Sequence, residues 1–86
     1  MRHELKTWPE PFEAIWRGDK RHEIRSTRDR TFAVGDAIEL HEYDPKTETY
    51  SGRVVGTVIT YMTNGGEWGL PEGMCVLSIA AGARFQ

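Results

Sequence analysis

Residues 53–62, Arg-Val-Val-Gly-Thr-Val-Ile-Thr-Tyr-Met, form the longest β-branched run of the chain. Branching at Cβ stiffens the side chain and suits a pleated, half-buried surface, so this stretch predicts a strand. Gly56 within it marks a bulge or bend. Downstream, the segment from Thr63 to Gly73 carries Gly65, Gly66, Gly69 and Pro71 and predicts an irregular loop. A loop that long in a small domain is often functional. Met74-Cys-Val-Leu-Ser-Ile-Ala then predicts a last strand. Upstream, Ala37-Ile-Glu-Leu-His-Glu-Tyr-Asp alternates, setting Ile38 and Leu40 between polar residues. Asp44-Pro-Lys-Thr-Glu-Thr-Tyr reads as the loop of a long hairpin.

Further toward the N-terminus, Phe32-Ala-Val-Gly-Asp predicts the start of a strand with a turn at Gly35 and Asp36. Residues 21–26 predict a strand with His22, Ile24 and Ser26 on one side and Arg21, Glu23 and Arg25 on the other. Residues 10–17 suit a two-turn helix. Phe12, Ile15 and Trp16 fall at i, i+3 and i+4 on one apolar face. Pro11 is tolerated in the first turn, Glu10 and Glu13 suit the positive end, and Gly18 is a stop. Residues 2–8 predict a first strand ended by Pro9. The sum is five or six short strands and one early helix, a β-rich α+β chain. Closing such a sheet into a small, partly closed barrel capped by the helix would remove its exposed edges.

The 86 residues leave room for one domain, spanning 1–86, and exclude an enzyme with a separate cofactor domain. Hydrophobic residues are 38% of the chain, but nine are Trp, Tyr or Phe, which bury large areas. No apolar run is long enough to cross a membrane as a helix, and residues 1–4 lead into no secretory h-region. Cys75 is the single cysteine, which excludes an internal disulfide and a cysteine-cluster metal site. Its apolar neighbours make it a core residue, and a cytoplasmic setting is expected. His3, His22 and His41 have no ligand-spaced partner, so no metal is expected. No phosphate loop, nucleotide fingerprint or nucleophile elbow is present, and no cofactor is expected.

The formal net charge is −2, so no overall basic balance points to nucleic acid. The distribution is less even. Residues 17–30 hold six basic residues against three acidic ones, whereas residues 31–86 hold three against seven. A local patch of this kind attracts phosphate even on an acidic protein. Within it, Glu23 and Arg25 share a strand face and Lys20 approaches from the turn. Arg25 offers a planar fork to phosphate or a base edge, Lys20 a point charge, and Glu23 a carboxylate between them.

Gly18, Lys20, Glu23 and Arg25 reproduce the G-x-K-x-x-E-x-R signature of ASCH domains, in the PUA-like superfamily. His3-Glu-Leu-Lys, Pro9-Glu-Pro-Phe-Glu-Ala-Ile, Phe32-Ala-Val-Gly-Asp and Glu42-Tyr-Asp-Pro extend the likeness. Over residues 3–81 the chain resembles the branch called domain of unknown function 3850, found in bacteria and phages. The resemblance implies a PUA-like, ASCH-type β-barrel with a cleft beside the signature, and binding of RNA or another nucleic acid. One ASCH branch is a small acetylcytidine amidohydrolase with a lysine and a threonine in the signature and a distant glutamate. Lys20 matches that lysine, but Glu23 stands at the threonine position, and a carboxylate does not replace a hydroxyl nucleophile. Glu67, in the late loop, is a conceivable second carboxylate. Ribonuclease activity is also claimed for some ASCH proteins, and there Lys20, Arg25 and Glu23 would serve, with Glu23 as general base.

Nucleotide clefts pair cations for phosphate with aromatic faces for stacking. Trp68, in the glycine-rich loop beside Glu67, is the leading stacking candidate, and Trp8, at the end of the first strand, is the second. Trp16 belongs to the apolar helix face. The expected function is therefore a small RNA-binding module, or one taking a nucleotide or nucleoside, with Lys20, Glu23, Arg25, Trp68 and Trp8 at its site. A small hydrolase using Lys20 and Glu23 is the alternative, and a protein-interaction module the second alternative.

Overall fold

A computed structural model describes residues 1–86. In chain order the elements are β1 (Arg2–Thr7), α1 (Pro9–Trp16), β2 (His22–Ser26), β3 (Ala37–Asp44), β4 (Thr49–Asn64), β5 (Met74–Ile79) and β6 (Ala83–Phe85). The strands run β1-β3-β4-β5-β2 across the sheet, with β6 added on β4. β1 and β3 are parallel and every other pairing is antiparallel. Parallel neighbours need a long crossover, which α1, β2 and the segment after them supply.

β4 is the spine. Its first part pairs with β3 and its second with β5, with a register shift between Ile59 and Tyr61. Such a shift bends a strand and sharpens its twist. It falls three residues after Gly56, which is regularly paired with Glu39 and Ala83. Gly56 is thus no bulge. A Cβ there would meet the Phe85 ring at 3.6 Å, so β6 lies close over it. Residues 32–36 form no strand but a turn, with Gly35 at φ +95°. Phe32 is buried all the same and packs against the His3 ring, tilted 53° to it with ring centres 4.7 Å apart.

One apolar cluster fills the space between sheet and helix. Phe12 and Ile15 of α1 pack there with Ile38, Leu40, Val55 and Leu77, and Trp16 lies half-buried at its margin. Cys75 belongs to this core, and burial raises its thiol pKa. Arg53 ties the helix to the sheet. It donates to both Glu42 carboxylate oxygens at 3.0 and 3.1 Å and to Glu13 at 3.0 Å, and its guanidinium lies 4.8 Å from the Trp16 ring centre.

The sheet is not closed, so the partly closed barrel expected from the strands is not confirmed. β1 and β2 end the sheet, and no backbone ladder joins them. The two edges are linked instead through one side chain, Arg25. No helix is long and apolar enough to cross a membrane.

Candidate functional site

β2 buries its charged face. Glu23 is 4% exposed and Ile24 is 56% exposed, the reverse of what hydrophobicity alone would choose. A buried carboxylate is tolerated only when its charge is met. Lys20 Nζ donates to Glu23 Oε2 at 3.0 Å, and Arg25 donates to Oε1 from Nε at 3.0 Å and from Nη2 at 2.6 Å. Lys20 also donates to the His22 carbonyl. Arg25 Nη2 reaches across to β1, donating to the Lys6 carbonyl at 3.0 Å and the Thr7 hydroxyl at 3.1 Å.

The local fold explains how Lys20 arrives there. Helix α1 ends in a wrap in which Gly18 N–H donates to Ile15 and both Asp19 and Lys20 N–H donate to Ala14. Gly18 takes φ +87°, a left-handed geometry that glycine adopts cheaply. The chain therefore leaves the helix with Lys20 held against its last turn, and β2 starts two residues later.

Two adjoining lobes of a cleft lie along the gap between β1 and β2. The smaller, about 340 Å³, is lined by Lys6, Thr7, Trp8, Pro11, Lys20, Glu23, Ile24 and Arg25. Three cations face one carboxylate there. Trp8, 61% exposed, offers its ring to that lobe. The larger, about 520 Å³, is lined by Glu4, Leu5, Lys6, Arg25, Ser26, Asp29, Arg30, Phe32, His41 and Tyr50. Of the residues singled out in the sequence, Lys20, Glu23, Arg25 and Trp8 are thus brought together in one lobe.

Trp68 is not brought with them. It sits at φ 51° on the turn after β4, 96% exposed, and lines neither lobe. Glu67 lines neither lobe, and its carboxylate accepts the Asn64 N–H at 2.8 Å, closing its own turn. The sequence reading missed Lys6, Thr7 and Tyr50. The first two lie in β1, far from the signature, and only the approach of β1 to β2 brings them in. Tyr50 lies in the first paired part of β4, where the sequence had placed loop.

A second polar group lies beside the larger lobe. Glu4, Glu39 and His41 set their ligand atoms within 4.8 Å of one another, because Glu4 and Glu39 are register partners on β1 and β3. Arg2 occupies this group, at 2.6 Å from Glu39. Its hydrogen bond, followed by that of His41, holds the Glu39 carboxyl below its ordinary pKa. Under the sheet, Asp36 accepts from Ala33 N–H at 3.1 Å and bonds His3 Nε2 at 2.8 Å. The His3 bond is the main cause of the lowered Asp36 pKa.

The model of the family described as Domain of unknown function (DUF3850) matches residues 2–79. No curated protein matches the chain.

Proposed function

The chain belongs to the family described as domain of unknown function 3850, and we propose that it is a small RNA-binding module whose ligand occupies the cleft around Lys20, Glu23 and Arg25. We read the open sheet as a PUA-like, ASCH-type barrel whose seam is that cleft, in a cytoplasmic protein. The crossing of the seam by Arg25 supports this reading.

The observation that carries the function is the inward-facing charge of β2. A strand that turns a Glu and an Arg inward and an Ile outward gives up apolar burial at its centre. Satisfying Glu23 with two cations leaves a fixed, net-positive wall beside an exposed indole. Cations for phosphate and a ring face for a base are what single-stranded nucleic acid requires. Glu23 holds both cations in place and leaves their remaining N–H groups for the ligand.

One observation favours the hydrolase reading. Thr7 places a hydroxyl in the lobe of Lys20 and Glu23, although not at the signature's threonine position. Its oxygen accepts from Arg25, and both Glu23 oxygens are engaged by cations. Neither group is arranged as a free base beside a nucleophile, so binding without turnover is favoured.

The test is binding of a fluorescent single-stranded RNA at several salt concentrations, with products followed by mass spectrometry. Affinity should fall with salt and weaken in Lys20→Ala, with RNA and acetylcytidine recovered unchanged. Binding indifferent to salt and to Lys20→Ala would refute the module. Product formation lost in Lys20→Ala or Glu23→Gln would establish the hydrolase.

A further inference from the structure

The two lobes of the cleft share two residues, Lys6 and Arg25. Each lobe also owns one exposed aromatic ring. Trp8 lines the smaller lobe, and Tyr50, 55% exposed, lines the larger. Volumes of about 340 and 520 Å³ fall within the range of small-molecule sites.

The shared residues keep donors in reserve. Lys6 Nζ lies 4.4 Å from the Tyr43 ring centre and is in no ion pair. Arg25 spends Nε and Nη2 on Glu23, Lys6 and Thr7, which leaves Nη1 without a partner in the chain. Two residues whose cationic groups have N–H to spare therefore line both ring-bearing lobes.

We propose, on the nucleic-acid reading above, that the cleft takes two consecutive nucleotides of a single strand. One base lies in each lobe, on Trp8 and on Tyr50, and the phosphodiester between them sits at Lys6 and Arg25. An internal phosphate is singly charged and flanked by two sugars, so it meets the boundary cation pair with a base on either side, whereas a monophosphate brings its phosphate to the same pair with a single base. The ligand is then a dinucleotide step, with flanking nucleotides outside the cleft. A free nucleoside monophosphate fills one lobe and gains one stack.

The experiment is calorimetric titration of the wild-type chain with a ribonucleoside monophosphate, the corresponding dinucleotide and a tetranucleotide. The dinucleotide should bind at least about fivefold more tightly than the monophosphate, the worth of one further stacked base. The tetranucleotide should add less than about threefold beyond it, since the other rings that line the cleft are not open for stacking: Phe32 is buried, and His41 is engaged by Glu39 and the Tyr50 ring. Tyr50→Ala should remove most of the dinucleotide's advantage, weakening the dinucleotide more than the monophosphate, while Tyr50→Phe, which keeps the ring, should retain it. Equal binding of monophosphate and dinucleotide would overturn the two-step site. So would a Tyr50→Ala effect that is absent or equal for both ligands. Either result leaves single-lobe nucleotide binding standing. Failure of all three ligands to bind the folded chain would overturn the nucleic-acid reading together with it.

Discussion

Glu23 receives three hydrogen bonds from two cations and meets almost no water. Lys20 and Arg25 are partly solvated, with side chains 22% exposed. Removing the carboxylate therefore leaves cations that water reaches, not charges stranded in a dry core. Glu23→Ala should lose about 1.5–3 kcal/mol, the worth of hydrogen bonds to a charged group, rather than the larger penalty of a broken fully buried pair. Chemical denaturation checks this, and the Glu23→Gln variant should lose less. At Asp36 the expectation is a pH dependence. The His3 bond lowers its folded pKa, while the unfolded chain titrates at the ordinary value of roughly 4. The stabilisation is complete above that unfolded value and is lost as the pH falls through the folded one. Unfolding curves recorded between pH 6 and 2 should show a steeper acid decline in the wild type than in Asp36→Asn. The signature residues were legible because their spacing puts two on one strand face and one at the preceding turn. Trp68 misled because an aromatic in a glycine-rich loop looks the same in sequence whether the loop folds over a cleft or away from it. His41, Glu4 and Glu39 were invisible as a group, since only the parallel register of β1 on β3 brings them together.

Helix α1 was readable within one residue, because two prolines, an apolar face and a glycine stop act locally. Its end also fixes the site, as Lys20 follows the left-handed Gly18. A Cβ on Gly18 meets nothing within 4 Å, so any penalty comes from backbone strain alone. Gly18→Ala should cost about 1–2 kcal/mol and weaken RNA binding by loosening Lys20, measured by melting and by titration on the same protein. Phe12 is wholly buried against the sheet, and Phe12→Ala should cost about 3–5 kcal/mol. Unchanged melting of that variant would remove the helix from the core. Strand β4 was read too short. Thr49 to Gly52 is polar and lacks β-branched continuity, yet Tyr50 and Thr49 pair with Tyr43 and Asp44 beyond a register shift. Strand β6 was missed because three residues carry no measurable period, and its place is set by Phe85 packing over Gly56.

At the scale of the whole molecule, a net charge of −2 coexists with a cleft whose smaller lobe sets three cations against one anion. The sheet ends on two edges that no ladder joins, and one side chain, Arg25, rather than a backbone ladder spans the space between them. Partial closure was the expectation because exposed edges are a liability. Here the edges border the cleft instead, which is where a ligand-binding seam would leave them. On the proposed reading, the acidic balance of residues 31–86 would repel nucleic acid, and attraction would concentrate at the cleft and be short-ranged at physiological salt. A backbone amide map of the nitrogen-15-labelled chain titrated with a short single-stranded RNA tests this most directly. The expected shifts gather at Lys6, Thr7, Trp8, Lys20, Glu23, Arg25 and Tyr50 and shrink as salt is added. Shifts gathered instead on the Trp68 turn or the outer face of β4 and β5, or no shifts at all, would contradict a nucleic-acid site between β1 and β2.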